Sequence, residues 1–190
     1  MAIGGKRPVD EELQDYARLL VRAGFLDGEQ MRAEVVSAIG AEMPGLAVMD
    51  AQVLARAWLG GAAAQLRRDA SSWPAQTDHD VLQAVFTECA EHEVPVLQGV
   101  EDHWSAKAEL DRLAGEGRAP RGVVWFTAAD VWHAVDHGML EVNLWHGSTA
   151  NAAPGDPLLD AVLSCFARHG LAAHFDEGRI EVGAHWQRRP

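Results

Sequence analysis

The stretch Gly122-Val123-Val124-Trp125-Phe126-Thr127-Ala128-Ala129-Asp130-Val131-Trp132-His133-Ala134-Val135-Asp136-His137-Gly138-Met139-Leu140-Glu141-Val142-Asn143-Leu144-Trp145-His146 decides how the chain folds. Its first four apolar residues, Val123 to Phe126, form an uninterrupted run, the pattern of a strand covered on both faces. Thr127 and Asp130 stand three apart in capping-box order and open a short helix, which Gly138 ends. Residues 139–146 then alternate strictly. Leu140, Val142 and Leu144 fall on one side of a strand, and Glu141, Asn143 and Trp145 on the other. A covered strand, a short helix and a half-covered strand are the signature of a sheet with helices packed on it.

Outward toward the N-terminus, Val94-Pro95-Val96-Leu97 reads as a short strand, at an edge or a strand start because proline donates no ladder hydrogen bond. The charged stretch from Glu101 to Arg112 reads as a surface helix, and Gly115 to Gly122 as the clearest loop. Thr77 and Asp80 form a second capping box, followed by Val81, Leu82, Val85, Phe86 and Cys89 on one helical face. Toward the C-terminus, Asp156-Pro157 starts a helix carrying Leu158, Leu159, Val162, Leu163 and Phe166. Leu171 to Phe175 and Arg179 to Val182 then read as a hairpin around Asp176-Glu177-Gly178.

The first third carries only helical periodicity. Asp10 is placed as the cap of a first helix that Gly24 stops, Asp27 with Gln30 as a capping box for a second, and Asp50 as the start of a third. Gly60-Gly61 is expected to interrupt that third helix or to admit a close neighbour, since each glycine costs about 1 kcal/mol in a helix. The fold class is therefore α+β. N-terminal helices (1–74) precede a region (75–190) with a mixed sheet of about five strands, packed helices and a C-terminal hairpin, the two expected to pack as one compact unit.

The 190 residues are 48% hydrophobic, with a formal net charge of −12 and nine histidines. That composition excludes a disordered chain. An acidic surface is a poor match for nucleic-acid phosphates, and no run approaches the 18 apolar residues of a membrane span. The expectation is thus no nucleic acid and no membrane. The start of the chain turns acidic at once and has no apolar signal core. Cys89 and Cys165 lack C-x-x-C spacing and sit on apolar helical faces, as buried free thiols do, so a cytoplasmic location is expected.

Candidate chemistry centres on residues 125–146. His133 and His137 are four apart on one helical face, with His146 in the following strand. Imidazoles so spaced can hold zinc and leave a coordination position open. Ala134, however, stands where the glutamate base of an H-E-x-x-H site would be. Asp130 sits at a strand-to-helix turn, where α/β folds set functional groups, and it is also explained as the capping residue. Trp125 and Trp145 could line a ligand cleft there, with Asp130 beside them, or pack as core. No G-x-S-x-G elbow, P-loop or G-x-G-x-x-G run is present.

The end of the chain reads Gly170-Leu171, Phe175-Asp176 with Gly178, Arg179-Ile180 with Val182, and Trp186 with Arg188-Arg189. Upstream come Gly24-Phe25, Trp73-Pro74, Thr77-Asp78 and Gly122 to Phe126. In this order the motifs resemble an uncharacterised bacterial family, a domain of unknown function, over most of the chain. Two departures stand out. Thr127 and Ala129 lie where that family tends to carry His and Gln, and Gln98 to His103 holds no cysteine where relatives often have several. The resemblance implies a fold-level grouping and no mechanism.

The first functional expectation is a non-enzymatic module, immunity-like or regulatory, that binds a protein partner by electrostatic steering and uses no cofactor. One alternative is a metal-dependent enzyme, with zinc as the metal, using His133, His137 and His146 with Asp130 as a further candidate. Another is a small-ligand sensor with a pocket at Trp125 and Trp145.

Overall fold

The structure is a computed structural model that describes residues 7–190. Contacts between residues divide the chain into two compact units, residues 1–72 with 189–190, and residues 73–188. The boundary falls just ahead of Trp73-Pro74.

The helical unit contains α1 (Val9–Ala23), α2 (Gly28–Glu42) and α3 (Val48–Ala70). Their apolar stripes meet in a core of Leu13, Ala17, Leu20, Val35, Ile39, Ala51 and Ala55. The capping box of α2 is made as expected. Asp27 accepts from the backbone N–H groups of Glu29 and Gln30, and the Gln30 side chain accepts from Asp27 N–H. Two helix starts differ from the sequence reading. The cap of α1 is Pro8 and that of α3 is Ala47, neither with a side-chain bond, and Asp10 and Asp50 lie inside the first turns. Carboxylates there are stabilised by the positive end of the helix dipole without capping it. Gly60 and Gly61 do not interrupt α3, and a Cβ added at either would meet nothing within 4 Å. The helix runs through them because its packing against α1 and α2 outweighs the local cost of the glycines. Arg22, largely buried, pairs with Asp69 of α3, and Arg189 Nη1 donates to the Ala70 carbonyl at 3.1 Å.

The second unit contains α4 (Asp78–Glu91), β1 (Val96–Val100), α5 (His103–Gly115), β2 (Gly122–Thr127), α6 (Val131–Asp136), β3 (Met139–His146), α7 (Pro157–Arg168), β4 (Ala173–Asp176) and β5 (Arg179–Gly183). The sheet order is β1-β2-β3-β5-β4, with β1 parallel to β2 and every other neighbour antiparallel. The expected α+β class with a five-stranded mixed sheet is the class observed. β1 starts two residues later than the sequence suggested. Pro95 stays outside the strand and offers only its carbonyl, which accepts from Val124 N–H at 3.0 Å. At Gly99, φ is 66° and the β1–β2 register slips by one residue, a bulge that glycine accommodates without strain. The β4–β5 turn has positive φ at Glu177 (43°) and Gly178 (94°), the twist-matched hairpin turn.

The two faces of the sheet are covered unequally. Val124 and Phe126 of β2, Leu140, Val142 and Leu144 of β3, and Ile180 and Val182 of β5 are fully or almost fully buried. On that side Phe126 meets Phe86 of α4 and the Trp186 ring, whose other neighbour is His79. Burial holds the His79 imidazole below its ordinary value. On the opposite face, α5 lays Ala106 and Leu110 on Val123, Trp125 and Trp145. Toward β5 and β4 this face carries polar residues that are half-buried or exposed. Cys89 of α4 and Cys165 of α7 are buried free thiols, and burial, reinforced by the neighbouring Cys165, pushes the Cys89 thiol up to about 12.

Candidate functional site

The polar part of this sheet face is built by strand alternation. On β3 the residues opposite the buried leucines and valine are Glu141, Asn143 and Trp145. Glu141 is register partner of Glu181 on β5, and Glu181 of His174 on β4. Two carboxylates face each other directly, a pairing that is repulsive unless cations intervene. Arg179, two residues before Glu181, supplies one. Its Nη1 donates to Glu141 at 2.7 Å and to Asp130 at 3.1 Å. His133 Nδ1 lies 3.9 Å from Glu141, and His174 Nε2 lies 3.3 Å from Glu181. The result is one polar stripe of carboxylates, imidazoles and a guanidinium across α6, β3, β5 and β4.

Asp130 serves two structures at once. Its Oδ2 accepts from the Thr127 N–H at 2.7 Å and from the Thr127 hydroxyl at 2.9 Å. Its Oδ1 holds Arg179. Asp130 N–H in turn donates to Thr127 Oγ1 at 3.3 Å, so the capping pair is made, although the regular helix starts at Val131.

Beside this stripe stand the two tryptophans. Trp125 and Trp145 meet edge to face with centroids 4.8 Å apart, and the Asn143 amide donates to the Trp125 carbonyl at 3.4 Å. Trp125 is 7% exposed and its indole N–H is buried with no hydrogen-bond partner. A lone buried donor costs about 1–3 kcal/mol.

The three histidines singled out by the sequence are not brought together. The rings of His133 and His137 lie 6.1 Å apart. His146 ends β3 five residues beyond Glu141, about 17 Å along an extended strand. There its Nε2 meets Asp156 Oδ2 at 2.5 Å. Asp156 is held below the usual carboxylate range by the Leu158 N–H first and by His146 as a further contribution.

Glu141, His174, Arg179 and Glu181 were not among the sequence candidates. Each was visible only as a polar residue in an alternating strand, and the stripe exists only once β3, β4 and β5 are in register. Chemically, these positions offer carboxylates, imidazoles, an amide and a guanidinium. Among the strand positions on this face the one hydroxyl is that of Thr127, already held by Asp130. The arrangement is suited to holding cationic groups reversibly.

Fold and site together define an α+β protein with a helical unit and an acidic mixed-sheet unit, one face of which carries paired charges. The chain belongs to the family described as Domain of unknown function (DUF6891), which matches residues 6–190. Comparison with curated proteins and with solved structures gave no match. Among the described residues no helix is long and apolar enough to cross a membrane.

Proposed function

We propose that this chain is a non-enzymatic binding module whose sheet unit captures a basic partner protein. One observation carries the reading, the distribution of charge. The helical unit holds nine Lys and Arg against ten Asp and Glu, a net of −1, whereas residues 73–188 hold seven against eighteen, a net of −11. Charge concentrated in this way steers a cationic partner and raises its association rate. The half-buried carboxylates Glu141 and Glu181, only partly neutralised by Arg179, supply the anionic contacts. The same reading puts the protein in a reducing cytoplasm, in keeping with two buried free thiols.

The test immobilises the whole chain, recovers bound protein at low salt, and measures binding of the recovered partner by the full chain and two variants. Asp176→Lys with Glu177→Lys changes exposed residues beside the stripe, and Glu42→Lys changes an exposed residue of the helical unit. The expected result is association that slows steeply with added salt and with the sheet-unit reversal, and is unchanged by Glu42→Lys. Binding indifferent to salt, or sensitive only to Glu42→Lys, overturns the reading.

A further inference from the structure

Far in sequence from residues 125–146, the ends of α4 and α7 bring a second set of groups together. Glu88 and His92 stand four apart at the end of α4, and Cys165 and His169 four apart at the end of α7. His92 and His169 are the C-cap residues of the two helices, and His92 Nε2 lies 3.7 Å from Glu88 Oε1. One ligand atom each from Glu88, His92 and Cys165 falls within 4.8 Å of the other two. Around them, His169 Nε2 meets Glu88 Oε2 at 2.8 Å, and the buried Cys89 thiol neighbours Cys165. Glu88 and His92 also line an open cleft of about 420 Å³ with Arg121, Ala161, Ser164 and Arg168, so these two ligands are reachable from solvent, while Cys165 is buried against Arg168.

We propose that Glu88, His92 and Cys165 form a zinc-class metal site with a coordination position open to this cleft. The donor set, one thiolate sulfur, one imidazole nitrogen and one carboxylate oxygen, suits a borderline-soft divalent ion and not magnesium or calcium, which take oxygen ligands. A cation already occupies this locus. The Arg168 guanidinium donates through Nε to Glu88 at 2.6 Å and through Nη2 to Cys165 Sγ at 3.2 Å, bridging two of the three ligands. Its side chain is 51% exposed, so it can swing into solvent and leave Glu88 and Cys165 to the ion. His169 and Cys89 then stand beside the ligands, where such neighbours orient them. On binding, the Cys165 thiol loses its proton to solvent and the thiolate sulfur donates an electron pair to the ion, with no change of oxidation state.

The experiment strips the full chain of metal and titrates it with Zn²⁺ against a chromophoric chelator, then with Co²⁺ as a spectroscopic probe. The expected result is one Zn²⁺ per chain and a thiolate-to-cobalt charge-transfer band. His92→Gln changes a half-exposed side chain and leaves the fold intact by circular dichroism. It should weaken Zn²⁺ by more than roughly 10-fold, the lower end of what outer-shell changes already cost. Cys165→Ser should abolish the charge-transfer band. His133→Gln with His137→Gln should leave both readouts unchanged. Sub-stoichiometric zinc, a cobalt spectrum without a thiolate band, or affinity lost in the His133/His137 variant and kept in His92→Gln each overturns the proposal. None of these outcomes bears on capture of a basic partner.

Discussion

The helical unit and the sheet unit use the same means of packing and differ in what they leave on their surfaces. All nine histidines and both cysteines fall within residues 73–188, together with all but one of the net negative charges, while residues 1–72 contain no histidine. The helical unit instead exposes apolar side chains, Val48, Met49 and Val53, on the first turns of α3. One unit thus carries nearly all the groups that titrate near neutral pH.

The largest effect is expected at Trp186, almost fully buried between His79 and Phe126. Trp186→Ala should cost about 3–5 kcal/mol in urea unfolding, and a loss below about 1 kcal/mol would remove it from the core of the sheet unit. Next comes the same motif placed in both units. Thr77 is buried and caps α4, whereas the Asp27 box of α2 is exposed. Thr77→Ala should cost about 2 kcal/mol and Asp27→Ala about 1 kcal/mol, and equal losses would show that burial adds nothing to the cap. In the helical unit, Gly60→Ala and Gly61→Ala should each stabilise by about 0.5–1 kcal/mol, since both positions are exposed helix interior with free space for a methyl group. A destabilised variant would reveal a neighbour that the space around them does not show.

The smallest effect is a slope. Burial lowers the His79 pKa, opposed by Asp80 and assisted by Arg188, so the unfolded chain takes up the proton first as pH falls. The stability His79 contributes is therefore complete above about pH 6.5 and is lost as pH drops through its folded value. Unfolding free energies at pH 7 and 5 should differ less in His79→Gln than in the parent chain. An identical pH dependence would show that His79 is not held neutral by burial.

Much of the sheet unit was legible residue by residue. The β3 alternation follows from a period of two, and the Thr77 and Asp27 caps depend on groups three residues apart, so both could be read locally. Two helix starts were misplaced because an aspartate inside the first turn looks the same in sequence as one at the cap. Asp10 and Asp50 gain from the dipole alone. The glycine pair in α3 misled for a related reason, since local propensity does not outweigh a 23-residue helix packed along one side.

The charged stripe and the thiol–imidazole–carboxylate cluster were illegible. Glu141 and Glu181 are forty residues apart, and their meeting depends on the β3–β5 register. Cys89 and Cys165, which the spacing left unrelated, meet because α4 and α7 pack together. The sequence by itself determined the fold class, the buried strand faces and the concentration of acid and imidazole after residue 72, because periodicity, capping and charge are local properties. Only the tertiary structure decided which of those groups face one another. Strand register and helix packing are long-range, and they left His146 with Asp156 while gathering Glu88, His92 and Cys165.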